Sequence, residues 1–190
     1  MRLLLLLSFV FFVLVASKTP PTFPSQFHVH YTFYDETNKR QSNVTLYWDM
    51  KIGSGRSKMV NTIKGIGTEI SIANYDKLDF YFYKAYEPSC KIDYLVPPMR
   101  PYAVPSESVY IGSEIVFDLE CDHWRYTWDT DKFHWVTDYY VTYTGSFYYP
   151  VRIDQHGNTL DTTTSHWDVP KVGPTDPIVY NVNSNWNCQP

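Results

Sequence analysis

Along most of this chain, aromatic and β-branched residues recur at every second position, the period that lets an extended strand fill one face. In "FHVHYTFYD", Phe27, Val29, Tyr31 and Phe33 fall on one face and His28, His30, Thr32 and Tyr34 on the other. The segments "VTLYWDMKI", "GTEISIANY" and "LDFYFYKAY" follow the same grammar and are divided by Gly, Asn and Asp. No helical periodicity is found after the first 17 residues, and nothing suggests an internal repeat. The expectation is an all-β chain with few or short helices, in which residues 18–190 form a single domain built on one large antiparallel sheet.

The densest stretch runs from Cys121 to Ile153. Trp124, Tyr126 and Trp128 alternate, "DTDK" makes a turn, and Phe133, Trp135, Thr137, Tyr139, Val141 and Tyr143 then line one face. His134, Val136, Asp138 and Tyr140 take the other. After Gly145, the alternation places Phe147, Tyr149, Val151 and Ile153 together. Three adjacent antiparallel strands would bring these rings together as cross-strand pairs. A sheet with one wet face alternates apolar and polar residues, yet Tyr139–Tyr140 and Phe147–Tyr148–Tyr149 put rings on both faces. The second face is therefore covered or lines a cavity. The candidate pocket residues are Trp124, Tyr126, Trp128, Phe133, Trp135, Tyr139, Tyr143, Phe147 and Tyr149, and the fitting ligand is apolar or lipid-like. A plain aromatic core is the alternative.

Before the strands, an apolar run from Leu3 to Ala16 follows Arg2 and ends in small residues, so residues 1–17 read as a secretory signal peptide. That run is short for a membrane span, which needs roughly 20 apolar residues, and no transmembrane segment is expected elsewhere. The predicted destination is extracellular, or lysosomal by the same route. "NVT" at Asn43 is the one glycosylation sequon. A net charge of −4 and scattered Lys and Arg argue against a nucleic-acid partner. "VPPMRPYAVPSES" is too proline-rich for a central strand and reads as an extended crossover between two groups of strands. The tail "WDVPKVGPTDPIVYNVNSNWNCQP" needs a tether, which a disulfide through Cys188 would supply for about 2–4 kcal/mol. With three cysteines, Cys90, Cys121 and Cys188, one is left over.

Catalytic signatures are lacking. "GSGRS" at Gly53 to Ser57 has the wrong spacing for a nucleophile elbow and reads as a turn between strands; "GIG" at Gly65 to Gly67 is too short to cradle phosphate. Cys121 with His123 or His134 mimics a thiol–imidazole pair without any protease signature around it. His28 and His30 share a strand face and could share a metal, and "DTD" at Asp129 and Asp131 opens like a calcium loop but lacks its Gly and distal Glu. A solvated strand face and a hairpin turn explain these more simply, and the metal ligands stay unknown. No enzyme is expected.

"YDETNKRQ" at Tyr34 to Gln41, "SCK" at Ser89 to Lys91, "AVPSES" followed by "IGS", Trp124, "YYPVRI", and "GPTDPIVYNV" before Cys188 occur in this order. That order resembles the ependymin-related family of secreted glycoproteins. "FPSQFHVHYTFYDETNKR" and "CDHW" followed by "YPVRI" also resemble the amino-terminal domain of amoebal counting-factor-associated papain-like proteins. The resemblance implies a deeply curved antiparallel half-barrel, similar to lipoprotein carriers, with a hydrophobic concave face. It implies a non-catalytic, lipid-binding, calcium-associated protein, often a homodimer, with a part in adhesion to extracellular matrix. A protease-associated or inhibitory domain is a further alternative. It also implies a Cys90–Cys188 disulfide, with Cys90–Cys121 left open. Where the family carries another cysteine before "PV", this chain has Tyr148 or Tyr149.

Overall fold

Period-two patterning becomes strands in the computed structural model, which describes residues 18–51, 54–158 and 161–190. The signal peptide expected over residues 1–17 therefore lies outside the described residues. The strands are β1 (Gln26–Asp35), β2 (Arg40–Lys51), β3 (Ser54–Ile63), β4 (Gly67–Asn74), β5 (Asp79–Lys84), β6 (Ser89–Tyr94), β7 (Val109–Val116), β8 (Leu119–Asp129), β9 (His134–Tyr143), β10 (Tyr148–Gly157), β11 (Thr163–Trp167) and β12 (Lys171–Val172). They form one antiparallel sheet in the order β6-β5-β4-β3-β2-β1-β11-β10-β9-β8-β7, with β12 also on β1. The sheet is a curved half-barrel with a hydrophobic concave face, left open at β6 and β7. Two 3₁₀ turns, Pro177–Tyr180 and Ser184–Trp186, supply the helical content among the described residues.

Two meanders thus meet at the β1–β11 seam, and the proline-rich crossover carries the chain from one sheet edge to the other. On its way it straps the inner face. Phe23 N–H donates to Tyr102 O (3.0 Å) and Val104 N–H to Pro21 O (3.1 Å), so residues 21–23 and 102–104 cross the sheet together. The Tyr102 ring lies within 5.2–5.8 Å of Phe23, Phe27, Trp48 and Trp167. Beneath it, Phe27, Val29, Leu46, Ile153 and Trp167 form one buried cluster, and Phe23, Val104, Trp124 and Val141 another. The face foreseen for Phe27, Val29, Tyr31 and Phe33 is this inner one.

Two local expectations change. Of "GSGRS", Gly53 lies outside the described residues, and Ser54 to Ser57 already belong to β3 rather than to a turn. Its Gly55 (φ +139°) answers a close approach instead: a Cβ there would sit 2.4 Å from Asp49 O and 2.7 Å from the sulfur of Met99, which the strap buries. The register of β10 on β9 also slips between Pro150 and Arg152. Proline cannot donate to the ladder, and the extra residue reverses which side chains face inward. Ile153 pairs with Tyr139 on the inner face, whereas Tyr149 and Val151 pack outward with Cys121. Phe147, Tyr149, Val151 and Ile153 therefore do not share a face.

On the outer side, the tail crosses β3 to β6. Lys58 Nζ donates to Val179 O (2.9 Å), Trp186 stacks on Tyr83 (4.5 Å, 4°), and Cys188 bonds Cys90 across a loop of 98 residues. Cys121 is free and buried, so the open alternative of a Cys90–Cys121 bond is not the one formed.

Candidate functional site: a neutral cleft beneath the strap

Strand register assembles the site. Tyr31 and Phe33 on β1 pair with Trp167 and Ser165 on β11; Ser165 pairs with Ile153 on β10, and Ile153 with Tyr139 on β9. These side chains share the inner face. With Gln155 from β10 and residues Pro101–Ala103 of the strap, they enclose an open-mouthed cleft of about 270 Å³. Its floor is held rigidly. Tyr31 stacks on Trp167 (4.3 Å, 9°), Trp167 Nε1 donates to Ser165 Oγ (2.8 Å), and the Tyr31 hydroxyl reaches Met59 Sδ at 3.5 Å.

No charged side chain lines the cleft. Burial pushes the Tyr31 phenol up to about 12, and burial, with the neighbouring Tyr126, does the same to Tyr139. Tyr102 is driven well above its ordinary value by burial and by those two phenols. All three hydroxyls are neutral donors over the physiological range. Ser165 and Gln155 add the remaining polarity. The cleft can hold an apolar body carrying one or two hydrogen-bonding groups, but it offers no cation to a buried carboxylate or phosphate.

Of the nine ring positions singled out from sequence, only Tyr139 lines this cleft. Trp124 is 2 % exposed and belongs to the core, packing edge-on against Tyr110 at 5.2 Å. Tyr126 and Trp135 are half-buried on the inner face. Trp128 and Phe133 are both 54 % exposed at the far end of the β8–β9 hairpin, with Trp128 stacked at 6.4 Å on Trp135. Tyr143 is exposed against Tyr148 at 4.8 Å. Phe147 and Tyr149 lie on the outer face with Val116, Cys121, Tyr140 and Val151. Sequence reasoning overlooked Tyr102 and Trp167 as lining residues. The available signal was a lone aromatic within each proline-flanked segment.

A second cluster occupies the outer face of β7–β9. The His123 ring is 4 % exposed and lies between two carboxylates, with Nδ1 2.7 Å from Glu114 Oε1 and Nε2 2.8 Å from Asp138 Oδ1. Arg125 donates to both oxygens of Asp138 (2.8 and 3.1 Å), and Tyr140 stacks beneath the imidazole (4.5 Å). Burial opposes ionisation of Asp138, but hydrogen bonds from Arg125 and His123 outweigh it and hold the carboxyl below its ordinary value. Both imidazole nitrogens are occupied, and the Cys121 thiol is pushed up to about 11 by burial. The pairing of Cys121 with His123 thus has neither a free ring nitrogen nor a ready thiolate, and His134 stands opposite Asp129 at the other end of the β8–β9 hairpin from Cys121.

His28 stacks on Tyr47 (5.8 Å) and His30 Nδ1 lies 2.9 Å from Thr45 Oγ1. Among the described residues, no group of three or more His, Cys, Asp or Glu is arranged to hold a metal. Compared with models of known protein families and with curated proteins, the chain matches none.

Proposed function

We propose that this protein is a non-catalytic carrier that holds a small, uncharged apolar ligand, or the neutral part of a lipid, in the cleft beneath its strap. The cleft's wholly uncharged lining carries this reading. At about 270 Å³ it lies just under the range of roughly 300–1,000 Å³ usual for drug-sized ligands. It therefore suits a short acyl segment or one ring system, with any polar head left at the open mouth. An ependymin-like half-barrel working outside the cytosol accords with the Cys90–Cys188 disulfide and with the exposed Asn43 on β2. Extracellular and lysosomal destinations both meet those conditions.

The test is native mass spectrometry and organic extraction of protein purified from a secretory host, followed by titration with a fluorescent monoacylglycerol and a fluorescent fatty acid. The neutral probe binds saturably and more tightly than the anionic one, and Gln155→Trp, which fills the cleft from a half-buried position, removes its binding. An extract free of apolar species, together with no saturable binding of either probe, overturns the proposal. An interaction role at a surface distant from the cleft is a second reading, favoured by the exposed apolar residues of β7.

A further inference from the structure

The sheet has two ends, and the chain treats them differently. At β6 the edge is covered. Ile92 N–H donates to Gln189 O (2.8 Å), Gln189 N–H donates to Cys90 O (3.1 Å), and the Cys90–Cys188 disulfide fastens this short parallel pairing. At β7 no described segment pairs with the outer side of the strand. An open edge presents a row of unpaired N–H and C=O groups, which proteins usually blunt with Lys, Pro or a bulge. Val109–Val116 contains no Lys and no Pro. A register slip between Tyr110 and Gly112 bends its first half and leaves Gly112–Val116 regular.

The side chains on this edge are apolar and in water. Ile115 is 71 % exposed and Val109 62 %, with Ile111 beside them and Phe117 and Leu119 continuing the patch around the hairpin. Ile111 stands at the register slip and Ile115 in the regular part of the strand, opposite Glu120, so both offer apolar contact to a strand added along this edge. Charge then narrows the partner. Residues 105–120 hold Glu107, Glu114, Asp118 and Glu120 and neither Lys nor Arg. The nearby cations are already taken, Lys18 by Asp122 (2.6 Å) and Arg125 by Asp138 (2.8 Å). A second copy laid along this edge would bring one acidic hairpin against another.

We propose that β7 is a strand-addition site for an extended segment of another protein, with alternating apolar side chains and flanking Lys or Arg. Main-chain hydrogen bonds to Gly112–Val116 supply affinity, Ile111 and Ile115 supply apolar contact, and the carboxylates not engaged by His123, those of Glu107, Asp118 and Glu120, select a basic partner. The cleft takes no part, so the two proposals stand or fall separately.

Fluorescence anisotropy with a synthetic peptide tests it, using a Thr/Val/Ile alternating core with two lysines at each end. A Glu-flanked version and a version N-methylated at alternate amides serve as comparisons. The Lys-flanked peptide binds saturably, and both alternatives bind about tenfold more weakly or worse. Ile115→Lys weakens binding to a similar degree, whereas Ile178→Lys, at a position 67 % exposed on the tail, leaves it unchanged. Lipid-probe binding is unaltered in both variants. Absence of peptide binding, equal binding of Lys- and Glu-flanked peptides, or indifference to Ile115→Lys overturns the proposal. So does a dimer in sedimentation that Ile115→Lys dissociates, since the edge would then belong to a second copy.

Discussion

Cys121 lies on the outer face of β8 beneath Val116, Tyr140, Tyr149 and Val151, with none of its surface in water. Its folded pKa of about 11 exceeds the ordinary 9.0, so the folded state holds the thiol proton more tightly than the unfolded chain does. The stability this represents is complete below pH 9 and is lost as pH rises toward 11. It amounts to about 3 kcal/mol. Urea titrations across that window show a fall in stability that Cys121→Ala flattens, and iodoacetamide at pH 8 leaves the native thiol unmodified. Asp138 has the opposite sign. Its folded carboxyl titrates below 3.8, so its contribution is present at neutral pH and disappears as acid protonates it. Asp138→Asn strips His123 and Arg125 of their shared anion and destabilises the fold by about 2–3 kcal/mol. That is modest for a buried pair because Arg125 keeps 45 % of its side chain in water. Urea unfolding of the variant at pH 7 measures the loss, and at pH 2 the difference from the parent protein shrinks.

Among the elements, alternation alone shows β1, β2, β4, β5 and β8–β10, because their apolar residues recur every second position. It does not show β3, β6, β7 or β11. "SGRSKMVNTI" and "TTSHW" bury too few apolar residues on one side to stand out, and the edge strands β6 and β7 have one partner each. The β10 bulge had a visible cue in Pro150, but which residue would be added depends on the ladder, not on composition. Disulfide closure is the element-scale device that decides which sheet edge is free. The Cys90→Ser/Cys188→Ser double variant loses about 2–4 kcal/mol and releases the tail. Hydrogen exchange then rises at the Ile92 and Gln189 amides and in β5, while the β8–β10 amides keep their protection. Uniform loss of protection over all strands would contradict this division.

At the scale of the molecule, the crossover accounts for the cleft. A chain that leaves one edge of an open half-barrel and re-enters at the other must cross one of its faces, and this one crosses the concave face through prolines that need no ladder partners. The proline run was legible; its descent onto Phe27, Trp48 and Trp167 was not, because that depends on which strands the seam brings together. Hence the rings of Trp124 to Tyr149 drew attention although the cleft belongs mainly to β1, β10, β11 and the strap. Tyr102 both seals the core and roofs the cleft, and these roles separate on mutation. Tyr102→Ala forfeits contacts to four rings and destabilises the protein by about 3 kcal/mol, seen as a lower urea midpoint. Removal of that ring also enlarges an apolar cavity already open on one side. In a series of fluorescent monoacylglycerols of increasing chain length, the variant therefore shifts its preference toward longer chains than the parent protein accepts. Binding that only weakens, in step with stability, would show the strap to be packing alone.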